Sequence, residues 1–112
     1  MSAKTSSDLL RGHTDTVVLS VLSKGDSYGY EIYKNIIDKL DGDYELKEAT
    51  LYSSYKRLEA DGHITSYWGD SKLGGRRKYF SITESGKKHF QQSKSDWTKT
   101  QTILNKLLYW RD

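Results

Sequence analysis

Apolar residues recur at helical spacing in three stretches of the first half of the chain. In the first stretch the stripe consists of Leu10, Thr14, Val17, Val18, Val21 and Leu22. This spacing predicts a helix from about Leu9 to Ser23. The same reasoning predicts a second helix over about Tyr28–Leu40 and a third over about Glu48–Asp61. Gly29, near the start of the second helix, is expected to let a neighbouring element approach closely.

The apolar period changes to two after the third predicted helix. This alternation predicts one strand over His63–Gly69 and another over Arg77–Ile82. The segment between them, Asp70–Gly75, contains two adjacent glycines and is predicted to be a flexible hairpin tip. Tyr44–Leu46 is predicted to be a further short extended segment. The pattern therefore predicts a β-sheet of two to three strands.

A last helix is predicted from the N-cap Thr83 to about Tyr109. Its length would be roughly 40 Å, which is too long for burial against so small a body. Phe90, Trp97 and Leu104 recur every seven residues along it, as in helices that pack across a dimer. The expected dimer interface consists of Phe90, Trp97, Ile103, Leu104, Leu107 and Leu108. Packing within one chain is the alternative explanation of this seam.

The order of elements is helix, helix, helix, strand, strand and long helix. The predicted fold is mainly α with a two-to-three-stranded β wing: a winged helix-turn-helix followed by a long C-terminal dimerisation helix. We predict a winged helix-turn-helix domain over residues 1–82 and a dimerisation helix over residues 83–112.

One face of the third helix has the composition of a DNA-reading surface. Hydrogen-bonding side chains recur there at Thr50, Ser53, Ser54 and Arg57. Short hydroxyl side chains would let the helix sit deep in a major groove, and an arginine can pair with guanine or phosphate. Tyr52 and Lys56 flank this strip and are expected to contact phosphates. An ordinary solvated face would show a similar pattern.

The predicted hairpin carries a cluster of positive charge. Its sequence is SKLGGRRKYF, with cations at Lys72, Arg76, Arg77 and Lys78. Such side chains around glycines can contact phosphates or enter a narrow minor groove. A solubilising loop that protects a strand edge is the alternative. Its position directly after a candidate recognition helix favours DNA binding.

Composition narrows the remaining function classes. The chain of 112 residues has a net charge of +3 and no cysteine, which excludes disulfides and thiolate metal sites. His13, His63 and His89 are scattered, so we expect no metal site, no cofactor and no enzyme activity. The chain shows no signal peptide pattern and no apolar run of membrane-spanning length, so a cytoplasmic protein is expected.

Three segments, in order, resemble PadR-family transcriptional regulators. They are VLSVLSKGDSYGYEIYKNI, ATLYSSYKRLEADGHI and GGRRKYFSITESGKK, and the similarity covers roughly Leu9 to Gly86. The family often has Ser-Pro-Gly where this chain has Lys47-Glu48-Ala49. It usually has a proline where this chain has Ser53 and a leucine where this chain has Tyr55. These departures affect the DNA sequence that would be recognised rather than the fold.

The resemblance implies a winged-helix homodimer, usually a repressor, that binds a double-stranded DNA operator. It also implies a response to a small aromatic or cationic effector. The single C-terminal helix resembles the short subfamily, in which a central tryptophan of that helix can line a ligand cavity between subunits. Trp97 falls at about that position. The alternative function is a winged-helix protein-interaction module without sequence-specific DNA binding.

Overall fold

The computed structural model describes residues 9–110, which form four helices and three strands. In chain order the elements are α1 (Thr14–Leu22), β1 (Ser27–Tyr28), α2 (Gly29–Leu40), α3 (Glu48–Ala60), β2 (Ile64–Asp70), β3 (Arg76–Ile82) and α4 (Glu84–Leu108). This is the predicted winged-helix order, with α2 and α3 as the helix-turn-helix and β2–β3 as the wing.

The three strands form one antiparallel sheet in the order β1-β3-β2. The strand that the sequence did not predict is β1, whose residues Ser27 and Tyr28 pair with Phe80 and Tyr79 of β3. The predicted extended segment Tyr44–Leu46 is not a strand, and Leu46 instead joins the core between α2 and α3. A two-residue strand has no periodicity of its own and forms only because β3 supplies its hydrogen-bond partners.

Helix α1 begins later than the apolar stripe predicts. Residues 9–13 form turns, and the helix starts at Thr14. Gly12 has a φ of +83°, in the left-handed region that interrupts a right-handed helix. Apolar spacing alone does not detect this interruption.

The core lies where α1, α2 and α3 pack on one face of the sheet. Its buried members are Val18, Leu19, Leu22, Ile32, Ile36, Leu46, Leu51, Tyr55, Leu58, Ile64, Phe80 and Phe90. As expected, Gly29 permits a close approach: a Cβ atom there would lie 3.2 Å from ring carbons of both Tyr52 and Tyr55. Helices α2 and α3 therefore meet at a spacing that a larger residue would widen.

The start of α4 is fixed to the turn between α3 and β2. Thr83 is the predicted N-cap, and its hydroxyl accepts a hydrogen bond from the Gly86 amide and donates one to the carbonyl of Gly62. A Cβ atom on Gly86 would collide with the backbone carbonyl of His63, so only glycine fits this contact. The rings of His63 and His89 stack at 4.3 Å. These contacts set the direction in which α4 leaves the head.

Beyond Phe90 almost every residue of α4 is exposed, and the described chain as a whole measures 60 × 38 × 20 Å. Only Gly86 and Phe90 of the 25 residues of α4 are buried. Within residues 9–110, no helix combines the length and the apolar character needed to cross a membrane. The division into domains at residues 82 and 83 stays a prediction. Phe90 of α4 packs into the core of the head, so the two parts share buried contacts.

Candidate nucleic-acid interface

The exposed face of α3 carries small side chains along the first half of the helix. Ala49 and Ser53, one turn apart, are both exposed and have short side chains. Thr50 and Tyr52 are exposed on either side of them, and Lys56 follows one turn later. A helix with this profile can enter a major groove deeply, because small side chains keep its backbone close to the base edges. Ala49 was not among the predicted residues, although its spacing of four from Ser53 places it on this strip.

The prediction that Ser54 belongs to the exposed strip is wrong. Its side chain is completely buried against α1, where its hydroxyl donates to Thr14 Oγ1 at 3.0 Å. Ser53 and Ser54 are equally polar, but α1 packs on α3 along the side that carries Ser54. The hydroxyl is tolerated there because it has hydrogen-bond partners.

Arg57 is held by an acid of α1. Its Nε and Nη2 atoms donate to the two carboxylate oxygens of Asp15 at 2.8 and 2.6 Å, and Nη2 also approaches Ser54 Oγ at 3.3 Å. Partial burial works to raise the pKa of Asp15, but hydrogen bonds from Arg57 and Ser54 outweigh it and leave that pKa below its ordinary value. The same pair raises the pKa of Arg57. Asp15 has no distinguishing sequence pattern, so the pairing was not predicted.

Aromatic rings form the wall between α3, α2 and the wing. Tyr52 and Tyr55 meet edge to face at 5.2 Å, and the Tyr55 hydroxyl donates to the carbonyl of Gly29 at 2.9 Å. Burial raises the pKa of Tyr55. Desolvation and the neighbouring Glu48 carboxylate raise the pKa of Tyr52, whose hydroxyl donates to Glu48 at 3.3 Å. Both hydroxyls therefore remain neutral hydrogen-bond donors at neutral pH.

The four predicted cations of the wing differ in their surroundings. Within the described part of the chain, Lys72 and Arg76 have no carboxylate within salt-bridge distance. The Arg77 guanidinium lies 5.7 Å from the centre of the Tyr28 ring. Lys78 lies over Phe80 and is 3.6 Å from Glu59. The wing thus presents free positive charge at its tip and paired charge at its base.

Glu59 ties the wing to α3. Besides contacting Lys78 of β3, its carboxylate accepts a hydrogen bond of 2.6 Å from Ser66 of β2. One side chain of α3 thereby contacts both strands of the hairpin. Glu59 therefore links α3 to the wing. The sequence did not reveal this contact, because Glu59 has the pattern of a solvated acid.

A cleft lies on each side of α3. The cleft toward the wing has a volume of about 420 Å³, with Tyr28, Tyr52, Tyr55 and Phe80 in its wall and Lys56 at its edge. The cleft toward α1 has a volume of about 490 Å³ and a mixed lining, with Leu10 and Leu46 beside the polar and charged residues Lys47, Thr50, Ser53 and Arg57. The α3 strip is therefore the ridge between two concave surfaces with basic side chains on both flanks.

The C-terminal half of α4 exposes the residues expected at a dimer interface. Trp97, Ile103, Leu104, Leu107 and Leu108 are between 42% and 65% exposed. Phe90 is a correction, because it is only 8% exposed and packs in the core of its own chain. The ring of Trp97 meets the ring of His13 edge to face at 5.1 Å. No group of three or more metal-ligating side chains occurs among residues 9–110.

The three-helix head, the basic hairpin and the exposed α3 strip define a winged-helix regulator of transcription. The model of the "Transcriptional regulator PadR-like family" matches residues 18–92. The chain belongs to this family.

Solved structures support the assignment. A transcriptional regulator from Clostridium thermocellum is 48% identical, with 93% of this chain and 98% of that one aligned at a TM-score of 0.82. A PadR family regulator from Clostridium difficile is 36% identical, covering 87% and 99% at a TM-score of 0.75. Bacillus subtilis PadR, solved in complex with operator DNA, is 26% identical, covering 75% of this chain and 45% of that one at a TM-score of 0.61.

Proposed function

We propose that this protein is a homodimeric repressor that binds a double-stranded DNA operator. Helix α3 enters the major groove, and the wing contacts the backbone or the adjacent minor groove. The observation that carries this proposal is the exposed α3 ridge beside a wing whose tip cations lack carboxylate partners among residues 9–110. The complex of the similar Bacillus subtilis PadR with operator DNA supports it.

The residues of the interface have distinct roles in this proposal. Thr50 and Ser53 face base edges, while Tyr52 and Lys56 contact phosphates beside them. Lys72, Arg76 and Arg77 neutralise phosphates at the wing, and Lys78 contributes from its base. Arg57 contacts DNA from the α1 side of the ridge.

The proposed dimer forms through the exposed face of α4. The tryptophan, isoleucine and leucine side chains of its C-terminal half are exposed, although polar residues separate Trp97 from Ile103. Two such faces bury each other in a two-fold dimer, and each also reaches the first helix of the partner. A cleft of about 470 Å³ between α1 and α2, lined by Val17, Val21 and Leu40, offers further apolar surface for this contact.

A small planar aromatic or cationic effector is proposed to bind beside Trp97 and release the DNA. The Trp97 ring is half exposed beside His13, where a flat ligand can stack on it. With Trp68 and Trp110 replaced by Phe, such a ligand should quench the remaining fluorescence and weaken DNA binding. Planar aromatic cations that do neither would contradict this part of the proposal.

The experiment that tests the function is duplex binding as a function of salt. Binding through several phosphate contacts weakens steeply as salt rises. Weak binding that does not respond to salt would instead favour a winged-helix protein-interaction module.

A further inference from the structure

Asp15 and Arg57 form a contact with more geometric definition than an ordinary surface ion pair. Both carboxylate oxygens accept hydrogen bonds from the same side of the guanidinium, at 2.6 and 2.8 Å. The Asp15 side chain is only 24% exposed and is fixed in the first turn of α1, whereas Arg57 is 52% exposed. The acid is thus a rigid part of the head, and the arginine reaches from α3 to meet it.

The pairing leaves one part of the guanidinium available. Nε and Nη2 are engaged by Asp15 and Ser54, but Nη1 has no hydrogen-bond partner among residues 9–110. Arg57 also lines the polar cleft beside Thr50 and Ser53. The fork that would grip a guanine is therefore occupied, while a single donor group remains for an acceptor such as a phosphate oxygen.

We propose that Asp15 is a positioning residue that holds Arg57 in place, so that Nη1 anchors a DNA phosphate. This inference rests on the proposed DNA binding through α3. A free arginine loses side-chain conformational entropy when it binds a phosphate. Asp15 already restricts the Arg57 side chain in the folded protein, so less entropy is lost on binding. The opposite arrangement, in which Asp15 competes with DNA for Arg57, predicts effects of opposite sign.

The test compares D15N with the parent protein on random-sequence duplexes about four helical turns long. Because Arg57 would lose its fixed orientation, D15N should bind roughly threefold to tenfold more weakly. The slope of log affinity against log salt should become shallower by about 0.9 for each phosphate that is no longer neutralised. Tighter binding with a steeper slope, or no change in either, overturns the proposal.

Asp61 provides the matched control. The Asp61 carboxylate acts on the Arg57 guanidinium through its charge alone, and the one hydrogen bond between the two residues joins their backbones. D61N removes the same charge and should leave binding unchanged or slightly tighter. A loss equal to that of D15N would show that charge alone is responsible and would overturn the positioning role.

Two further variants keep the result interpretable. In an R57A background, D15N should have no additional effect, and a persisting effect would show that Asp15 acts by another route. If D15N does not fold, as judged by thermal unfolding, R57K replaces it. The charge then remains but the guanidinium fork is lost, so binding should weaken, and unchanged binding overturns the proposal.

If the parent itself shows no salt-dependent binding, the proposed function fails. If the parent binds and D15N matches it, only this inference fails.

Discussion

At the scale of single residues, the neighbours of each cation decide how that cation can serve DNA binding. Lys72 and Arg76 are free of carboxylates in the described part of the chain, so their charges are available to phosphates. Arg57 and Lys78 contact Asp15 and Glu59 respectively. The exposed Lys78–Glu59 pair contributes little stability. The bidentate Asp15–Arg57 pair fixes the orientation of its arginine.

The two adjacent serines of α3 provide a direct test at this scale. S54A removes a buried hydroxyl that bonds to Thr14, so it should lower the free energy of unfolding by about 1 kcal/mol and leave base preference unchanged. S53A alters an exposed side chain and should change base preference with stability constant to within about 0.5 kcal/mol. Urea unfolding and selection of duplexes from a random pool measure the two effects. Altered base preference in S54A, with parental stability, would contradict the assignment.

The difference between these serines also shows which features of the site the sequence could not predict. The helical period correctly placed Thr50, Ser53 and Arg57 away from the Leu51–Leu58 stripe. It could not show that α1 packs beside that stripe and covers Ser54, because this depends on contacts between residues 40 positions apart. The same holds for Asp15 and Glu59, whose partners lie on other elements of the fold.

At the scale of elements, the sequence was sufficient to predict features that depend on residues close together in the chain. The α3 and α4 boundaries and the Thr83 cap follow from spacing and capping chemistry, and all agree with the structure. The strand Ser27–Tyr28 could not be foreseen, because its two residues depend on pairing with β3. The late start of α1 depends on the conformation of Gly12. Both misses arise from backbone geometry that side-chain patterns do not encode.

The exposed seam of α4 leads to a prediction about assembly. L104D places a charge in the apolar face and should weaken dimerisation about a hundredfold or more, because the loss of apolar burial occurs in both subunits. L73D is the matched control, since Leu73 is an exposed leucine on the wing and not on α4. Sedimentation velocity should show L104D as a monomer and L73D as a dimer. Equal behaviour of the two variants would mean that α4 does not carry the interface.

At the scale of the whole molecule, the proposed function assigns DNA reading and assembly to different parts of the fold. The head carries the α3 ridge and the wing, and α4 presents the exposed apolar residues of the proposed dimer interface. The contacts of Thr83, Gly86 and His63 fix the angle between them. In a two-fold dimer this angle sets the distance between the two α3 helices. In the proposed dimer, this joint would determine the half-site spacing that is recognised.

The most direct test of the central claim measures duplex affinity across a salt series for the parent and for R76A/R77A. We predict steeply salt-dependent binding by the parent and weaker binding to every duplex by the variant. The slope for the variant should be shallower by about 0.9 for each phosphate that it no longer neutralises. The control K88A/K99A removes the same charge from exposed positions on α4 and should retain the parental slope. Salt-insensitive binding by the parent, or equal slopes for parent and R76A/R77A, would contradict the account.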